Sequence, residues 1–358
     1  MPEDQKSLEF DRINKLKHDK ILKKISNNDL NFDGTKLFRL IFVKEKFKNI
    51  KMSFLNAEIK DHVEFYECNL LGSVIFDGAK IGGHAWFKES ELWDVSFVGT
   101  NVDNAIIFQG SIIYGNVNLN GRSGSIIKKV WFWNSESDCN IFINNNNIKE
   151  KIQFDNGSFG GNIEIIKSHI GGDLNFNNII TKKEVNLNES HISGNIQLKM
   201  EHEAISLKST KFISSPTQEK ACRYSKTFWE GLGDRERSDY YFYREMDAKR
   251  KQKSYFFRFL EWYLIQIPFG YGVYPLRVVI SWISIILIFT VIYSTQNGVN
   301  GNLGFFSYLY TSVVTAITPG FGNYHPEGFY QLVASFEAII GTFMWVTLIA
   351  TFTRKYMR

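Results

Sequence analysis

A run of six residues near the C-terminus, Thr318-Pro319-Gly320-Phe321-Gly322-Asn323, has the composition of a cation-binding loop. A cation that crosses a bilayer exchanges its water shell for other oxygens, and a ring of backbone carbonyls supplies them. Glycine at alternate positions lets the backbone take the left-handed dihedral angles that such a ring needs. The run therefore predicts an ion selectivity filter, through which ions pass without a chemical step. A turn outside the membrane between two unrelated helices is the alternative.

The segment before this run supports a pore. Residues Phe305 to Ile317 are apolar and carry hydroxyl groups, and they are long enough for a short re-entrant helix but too short to cross a bilayer. The C-terminal end of that helix would direct the negative end of its dipole at the ion path. Non-helical backbone at membrane depth is tolerated only inside protein or along a water-filled path. We therefore expect several copies of the chain to surround the run.

The six residues resemble the T-V-G-Y-G-Asp signature of the two-transmembrane potassium channel superfamily. This resemblance implies a homotetramer in which Thr318, Pro319, Gly320 and Phe321 supply carbonyl ligands to K⁺ and Gly322 ends the filter. Proline in place of valine removes an N–H group and biases the preceding residue away from the right-handed helical region. A potassium channel and a non-selective cation channel that also passes Na⁺ therefore both stay open.

Two long apolar segments flank the loop, and they predict two transmembrane helices over Pro275–Ser294 and Phe329–Thr353. Glu327 is the only fixed charge between them, whereas Lys and Arg are concentrated before the first span and after the second. The positive-inside rule then places both termini in the cytoplasm and the loop outside. The N-terminus lacks the apolar region of a cleaved signal peptide.

Two residues of the second span stand out. Gly341 lies mid-helix, where glycine costs about 1 kcal/mol relative to alanine. The channel resemblance makes it a candidate gating hinge, and close helix packing explains it equally well. Glu337 is the one acidic residue of the span, and a carboxylate in the membrane is costly. It either faces the ion path or bonds to hydroxyls of the short helix such as Thr311 or Thr315, and we favour the second.

Most of the chain before the spans follows a repeat of eleven residues, read as five plus six. A large apolar residue opens each unit, an aliphatic residue follows five positions later, and a small residue lies two positions before the aliphatic one. A helical period cannot generate this spacing. The large residues are Phe54, Phe65, Phe76 and Phe87 and, later in the chain, Phe154, Ile165, Phe176, Leu187 and Leu198.

The repeat resembles that of the pentapeptide-repeat proteins, which implies a right-handed quadrilateral β-helix over residues 31–213. Coils of ~22 residues would stack ~4.8 Å apart. An ordinary β-sandwich with accidental spacing is the alternative. Residues 120–150, which include the run Asn144–Asn147, blur the register, and we expect them to bulge or loop.

The remaining segments predict a multidomain chain. Residues 1–30 are predicted to form a capping helix or a solvated tail at the open edge of the β-helix. Residues 214–253 are charged and helical in pattern, with helices expected at Gln218–Glu230 and Arg235–Lys253. The second helix resembles the connector between pentapeptide repeats and a channel in some prokaryotic proteins. It would either couple the solenoid to the pore or act as a passive stalk.

Within the segment 254–274, residues Ser254 to Ile267 are rich in aromatic side chains but too short to cross a membrane. They predict a slide helix on the membrane surface, where basic residues just before it would meet lipid headgroups. A buried helix of a soluble protein is the alternative. An all-α pore domain over residues 275–358 completes the layout, in an integral protein of a prokaryotic plasma membrane.

Other chemistry is not indicated. The histidines His84, His169, His191 and His202 occupy no common position of the repeat, so no metal site is expected beyond the permeant ion. No nucleophile and base fall into a catalytic set, so neither an enzyme nor a cofactor is predicted. The net charge of +5 reflects basic residues at the membrane flanks, which argues against a nucleic-acid partner. A ligand or protein on the β-helix stays open, as does a membrane-anchored scaffold without a pore.

Overall fold

The computed structural model of the protein describes residues 23, 24, 27, 29–48, 51–201, 205–295, 299, 304–317 and 326–356. The chain forms two compact units, Met1–Leu232 and Gly233–Arg358. The first unit is a β-solenoid of about eight turns over residues 36–212 followed by one helix, and the second unit is helical. The β-helix and the multidomain layout predicted from the spacing are confirmed. The predicted N-terminal cap lies almost wholly outside the described residues.

The solenoid has four faces, and its strands pair in parallel with those of the next coil. Val63 pairs with Ala85, 22 residues later, and Ala85 pairs with Ile106. One face is an eight-stranded sheet: Met52–Ser53, Val74–Ile75, Val95–Ser96, Val117–Asn118, Ile141–Phe142, Ile163–Glu164, Val185–Asn186 and Ile205–Ser206.

The other three faces share one sheet of 20 strands, because several strands continue around a corner from one face to the next. Its strands are Lys36–Leu37, Leu40–Val43, Lys46–Lys48, Glu58–Ile59, Val63–Tyr66, Asn69–Leu71, Lys80–Ile81, Ala85–Lys88, Glu91–Leu92, Asn101–Gln109, Ile112–Ile113, Ile127–Trp133, Glu136–Ser137, Asn147–Asp155, Ser158–Phe159, His169–Ile170, Leu174–Thr181, His191–Ile192, Ile196–Glu201 and Lys211–Phe212.

The core consists of stacked phenylalanine rings. Phe87 stacks between Phe65 and Phe108, with ring centroids 5.0 and 5.1 Å apart, and this column continues to Phe176. A second column on another face contains Phe54, Phe76 and Phe97 at 4.7 and 4.8 Å. These distances are close to the separation of neighbouring β-strands. A repeat of eleven residues is half a coil, so alternate units of the repeat supply alternate columns.

The small residues of the repeat satisfy polar groups inside the core. Ser111 Oγ donates to the carbonyl of Phe87 at 3.0 Å, and Thr100 Oγ1 donates to that of Phe76 at 2.7 Å. Ser90, Ser135, Ser168 and Ser190 make equivalent bonds, each to a carbonyl of the preceding coil. Because a buried polar group without a partner is costly, these bonds let a polar corner lie next to the aromatic core.

The expectation that residues 120–150 bulge or loop is confirmed for the first part of that range. Residues 120–126 form no strand, and here the coil lengthens so that Val117 pairs with Ile141, 24 residues later. The register shifts between Ile127 and Lys129, as at a β-bulge, and parallel pairing is regular from Lys129. In the asparagine run, Asn146 takes the place of the small residue and is buried, and its Nδ2 donates to the carbonyl of Leu119. The run is therefore a regular corner.

A left-handed residue lies immediately before each of many small residues. Gly78 has φ of 68°, and the non-glycine residues Asn145 and Lys167 have φ of 54° and 53°. The same conformation recurs at most intervals of eleven residues, for example at Glu67, Gly78 and Glu89. It turns the chain through a corner, and only glycine adopts it without steric cost. This turn accounts for the sixth residue in the five-plus-six spacing.

One helix closes the C-terminal end of the solenoid. Helix α1, Ser215–Gly231, begins earlier than the predicted Gln218 because the Ser214 hydroxyl accepts a hydrogen bond from Thr217 N and Pro216 suits the first turn. Trp229 Nε1 donates to the Ile205 carbonyl at 3.2 Å. Tyr224 Oη, five residues earlier in the same helix, donates to the Met200 carbonyl at 3.2 Å. The first half of the predicted connector is thus a cap on an otherwise open edge.

The second unit contains five helices of seven or more residues among those described. They are α2 (Arg235–Lys251), α3 (Tyr255–Glu261), α4 (Pro275–Ser294), α5 (Phe305–Ile317) and α6 (Phe329–Tyr356). Between α3 and α4 lie a π-helical turn (Trp262–Gln266), a short α-helical turn (Ile267–Phe269) and a 3₁₀ turn (Gly270–Gly272). Helices α4 and α6 are long and apolar enough to cross a membrane. The helix α6 extends beyond the predicted Thr353.

The segment predicted as a slide helix exposes its aromatic side chains. Tyr255 is 87% exposed, Phe256 66% and Phe257 60%. These exposures favour the slide helix over a buried helix of a soluble protein. An exposed aromatic face of this kind fits the surface of a lipid bilayer.

Candidate pore region

Helix α5 packs between the two long helices α4 and α6. Its buried side chains recur three or four positions apart, which places them on one face of the helix. They are Tyr308, Thr311, Ser312, Thr315 and Ala316. Because this face carries four polar residues, it needs hydrogen-bond partners on the helices that cover it.

Glu337 of α6 supplies one such partner. Its side chain is fully buried, and its carboxylate accepts hydrogen bonds from Tyr293 Oη of α4 at 2.6 Å and from Ser312 Oγ of α5. Ser312 Oγ also lies 2.9 Å from the Ile286 carbonyl of α4. Tyr293 and Ser312 are themselves fully buried. One carboxyl group thus joins all three helices in a place that water does not reach, where a hydrogen bond is electrostatically stronger than in water.

The sequence predicted that Glu337 would bond to a hydroxyl of the short helix, and the structure identifies that hydroxyl as Ser312. Thr311 instead donates to the Ser307 carbonyl of its own helix at 2.9 Å. The hydroxyl of Thr315 is buried and has no hydrogen-bond partner among the described residues. Sequence reasoning missed both Ser312 and Tyr293. Ser312 could have been found from its spacing, because it lies four residues before Ala316 and therefore on the same face of the helix. Tyr293 had no such signal, since aromatic residues are common at the ends of spanning helices.

Gly341 of α6 lies against the C-terminal end of α5. A Cβ atom added to Gly341 would be 2.2 Å from the carbonyl oxygen of Ala316 and 2.7 Å from its Cα. Both contacts are with backbone, so no side-chain rotation can relieve them. Glycine is therefore the residue that lets α6 approach the last turn of α5. Of the two explanations offered by the sequence, close packing is what the structure shows, and a hinge role stays a prediction.

The loops on either side of α5 meet near the start of α6. Val299 and Pro326 form an isolated antiparallel bridge. Val299 is buried with Phe289, Tyr293 and Tyr308, and Tyr330 Oη donates to the Thr295 carbonyl at 2.8 Å. The predicted filter residues Thr318, Pro319, Gly320, Phe321 and Gly322 lie outside the described residues.

The solenoid histidines require one correction. His169 and His191 pair across neighbouring coils and therefore do share a position of the repeat. His84 stacks on His62 with ring centroids 5.1 Å apart, and burial together with the neighbouring His62 lowers the pKa of His84. His202 lies outside the described residues. Among the residues that the structure describes, no group of three His, Cys, Asp or Glu side chains is placed to hold a metal ion.

Comparison with known proteins identifies the C-terminal segment. A family model described as an ion channel matches residues 280–358, which include most of α4 and all of α5 and α6. No curated protein and no solved structure matches the chain. The chain therefore combines a β-solenoid with a C-terminal segment that is similar to ion channels and contains two helices long and apolar enough to cross a membrane. The family match and the solenoid fold both point away from an enzyme.

Proposed function

We propose that this protein is a homotetrameric cation channel that conducts potassium passively. The observation that carries the proposal is the placement of α5. This helix is too short to span a membrane, it is held between two helices that are long enough, and its last turn is packed against Gly341. Two residues after Ala316, the chain reaches Thr318-Pro319-Gly320-Phe321-Gly322, the sequence predicted to form the filter. The match to an ion-channel family over the same segment supports this reading.

Two spanning helices and one re-entrant helix cannot enclose an ion path alone. Four copies around an axis would do so, with the carbonyls of residues 318–321 replacing the hydration shell of K⁺. Gly341 and Glu337, one turn apart on α6, would support the pore by holding α5 at two positions. One contact is steric, at Ala316, and the other is polar, at Ser312. Both termini would lie in the cytoplasm, because the basic residues flank the spanning pair on that side.

The solenoid would serve as a cytoplasmic assembly or regulatory domain. Its large faces offer room for a ligand or a protein partner, and its core carries no feature that conduction would need. The exposed aromatic residues of α3 would rest in the lipid interface. The stimulus that opens the pore would then act on parts of the chain outside the filter.

A non-selective cation channel is the second candidate, and Pro319 favours it. Proline gives the filter one N–H group fewer and restricts Thr318. Replacing Pro319 with valine should increase the preference for K⁺ over Na⁺, as measured by reversal potentials in opposed gradients. Unchanged permeability ratios would show that proline does not loosen the filter.

Flux from purified protein in liposomes tests the proposal directly. Wild-type protein should pass K⁺, and Gly322→Ala should abolish the flux, since a Cβ at that position would disturb the carbonyl ring. Gly304→Ala is the matched control, because open space surrounds Gly304 and the variant should conduct normally. The tetramer is checked by mass measurement in detergent. Absence of flux together with absence of a tetramer would instead support a membrane-anchored scaffold.

A further inference from the structure

The chain order raises a question about how the solenoid could influence α6. The solenoid precedes α2, α3 and α4 in the chain, so its direct covalent path leads to the first spanning helix. Helix α6 is the last element and is reached only through the whole pore region. In the proposed channel α6 lines the pore beyond the filter. The solenoid could therefore influence α6 more directly if the C-terminal end of α6 made a noncovalent contact with an element that precedes α4.

Such a contact exists between α2 and the last turn of α6. Arg354 Nη2 donates to Asp239 Oδ1 at 2.9 Å, across 115 residues of sequence. The same guanidinium lies 4.5 Å from the centre of the Phe242 ring. Asp239 and Phe242 are three residues apart and therefore share one face of α2. Arg354 thus makes an ion pair and a cation–π contact with a single helix face.

The adjoining part of α2 holds the start of α4. The Tyr243 ring contacts the rings of Tyr271 and Tyr274 at centroid distances of 5.9 and 5.5 Å. The Arg277 guanidinium lies 5.6 Å from the Tyr243 ring, and Gln266 Nε2 lies 3.0 Å from Tyr243 Oη. Residues 239–243 of α2 therefore contact both the C-terminal end of α6 and the N-terminal end of α4.

Other acidic residues in or near α2 have cationic partners of their own. Asp247 is already paired with Arg250 at 2.8 Å and with Lys251 at 2.5 Å. Lys253 is paired with Glu261 at 2.5 Å. The Asp239 side chain is 19% exposed and that of Arg354 is 38% exposed, so this pair is only partly screened by solvent. The charge of Arg354 also suits the C-terminal end of α6, where the helix dipole favours a cation.

We propose that Asp239 and Phe242, through Arg354, position the C-terminal end of α6 relative to α2. Together they form the contact by which the N-terminal side of the chain sets the balance between closed and open pores. The part of this proposal that concerns opening rests on the proposed channel function. The contact itself does not.

Charge reversal in single-channel recordings tests the coupling. Asp239→Arg and Arg354→Asp should each change the ratio of open to closed time in the same direction by about fivefold or more, the usual lower range for coupled sites. The double variant, which restores an opposite pair, should return to within about twofold of wild type. Unitary conductance should stay unchanged, because neither residue belongs to the filter sequence or to α5. Lys355→Asp, an equal charge change at the exposed neighbouring residue, should have no effect.

Two results would overturn the coupling: single variants that gate like wild type, or a double variant that gates no better than the singles. Amide hydrogen exchange separates this outcome from failure of the channel function. Exchange in residues 347–356 and 239–247 should quicken in each single variant and recover in the double variant, even if the protein carries no current. Unchanged exchange would show that the contact does not hold α6. Faster exchange throughout the chain would mark a folding defect, and Arg354→Gln, which removes the charge without reversing it, then replaces Arg354→Asp and should change the ratio of open to closed time in the same direction.

Discussion

The solenoid and the pore region solve the same problem, the burial of polar groups, in opposite ways. In the solenoid, the hydroxyls at the small positions of the repeat donate to carbonyls of the preceding coil, and equivalent bonds recur from Ser90 to Thr210. In the pore region, three helices share one carboxylate, Glu337, and one glycine contact, Gly341. A substitution at one of many equivalent hydrogen bonds leaves the bonds of the other coils in place. A substitution at a contact that occurs once removes that contact completely. The two regions should therefore differ sharply in their tolerance of substitution.

The largest effect is expected at Gly341. Gly341→Ala places a Cβ 2.2 Å from the Ala316 carbonyl oxygen, so α5 and α6 must separate. Because Ala316 lies two residues before Thr318, we expect ion flux in liposomes to be lost. Gly304→Ala, in open space, should conduct like wild type. A Gly341→Ala channel with normal flux would show that the close approach is dispensable.

The next largest effect is expected in the solenoid core. Phe87→Ala removes a fully buried ring from the middle of a stack, and such truncations cost about 3–5 kcal/mol. Phe38→Ala, at a residue that is 39% exposed, should cost far less. Chemical denaturation of the full chain, followed by circular dichroism, measures both. Equal losses for the two variants would mean that stacking does not dominate the stability of the solenoid.

A smaller effect is expected at Glu337. Glu337→Gln keeps the shape of the side chain but replaces one acceptor oxygen with an amide donor, so that Ser312 can donate only to the Ile286 carbonyl, and the change costs about 1 kcal/mol. We expect a lower melting temperature in detergent and a changed ratio of K⁺ to Na⁺ permeability. Glu327→Gln, at an exposed position, is the matched control. Equal melting temperatures for the two variants would show that the contacts of Glu337 do not stabilise the three helices.

The smallest effect is expected at the corners of the solenoid, and its sign is reversed. Lys167 has φ of 53°, a conformation that costs a residue with a side chain about 1–2 kcal/mol. Lys167→Gly should therefore raise the free energy of unfolding, by less than about 1 kcal/mol after the entropy of glycine is counted. Lys149→Gly, in a strand, should lower it instead. Destabilisation by both changes would contradict the corner assignment.

The solenoid could be predicted from sequence in detail because each structural position is sampled many times. Spacing alone gave the columns of Phe54 and Phe65 and the small corner residues. It located the irregularity at residues 120–129 but extended it too far, because Asn146 replaces a serine with an amide that makes an equivalent bond. It also assigned α1 to a connector, since a capping helix and a linker helix have the same charged pattern.

The pore region was predictable only as a set of elements. Hydropathy placed α4 and α5 at their observed bounds, because lipid imposes the length of a spanning helix. The partners of Glu337 depend on the rotation of three packed helices about their axes, and a single sequence does not encode that rotation in any local pattern. The contact between Arg354 and Asp239 was invisible for the same reason, with 115 residues between its two members.

The coil length of the solenoid also has a geometric consequence for anyone who edits this chain. Because Val63 returns to the same face at Ala85, one coil later, the side from which the polypeptide leaves the solenoid depends on whether the number of coils is whole. Excising one full coil would shorten the rod and preserve the azimuth of its exit. Excising eleven residues would leave the hydrophobic pattern intact yet rotate that exit by half a revolution, so natural length variants should differ by whole coils.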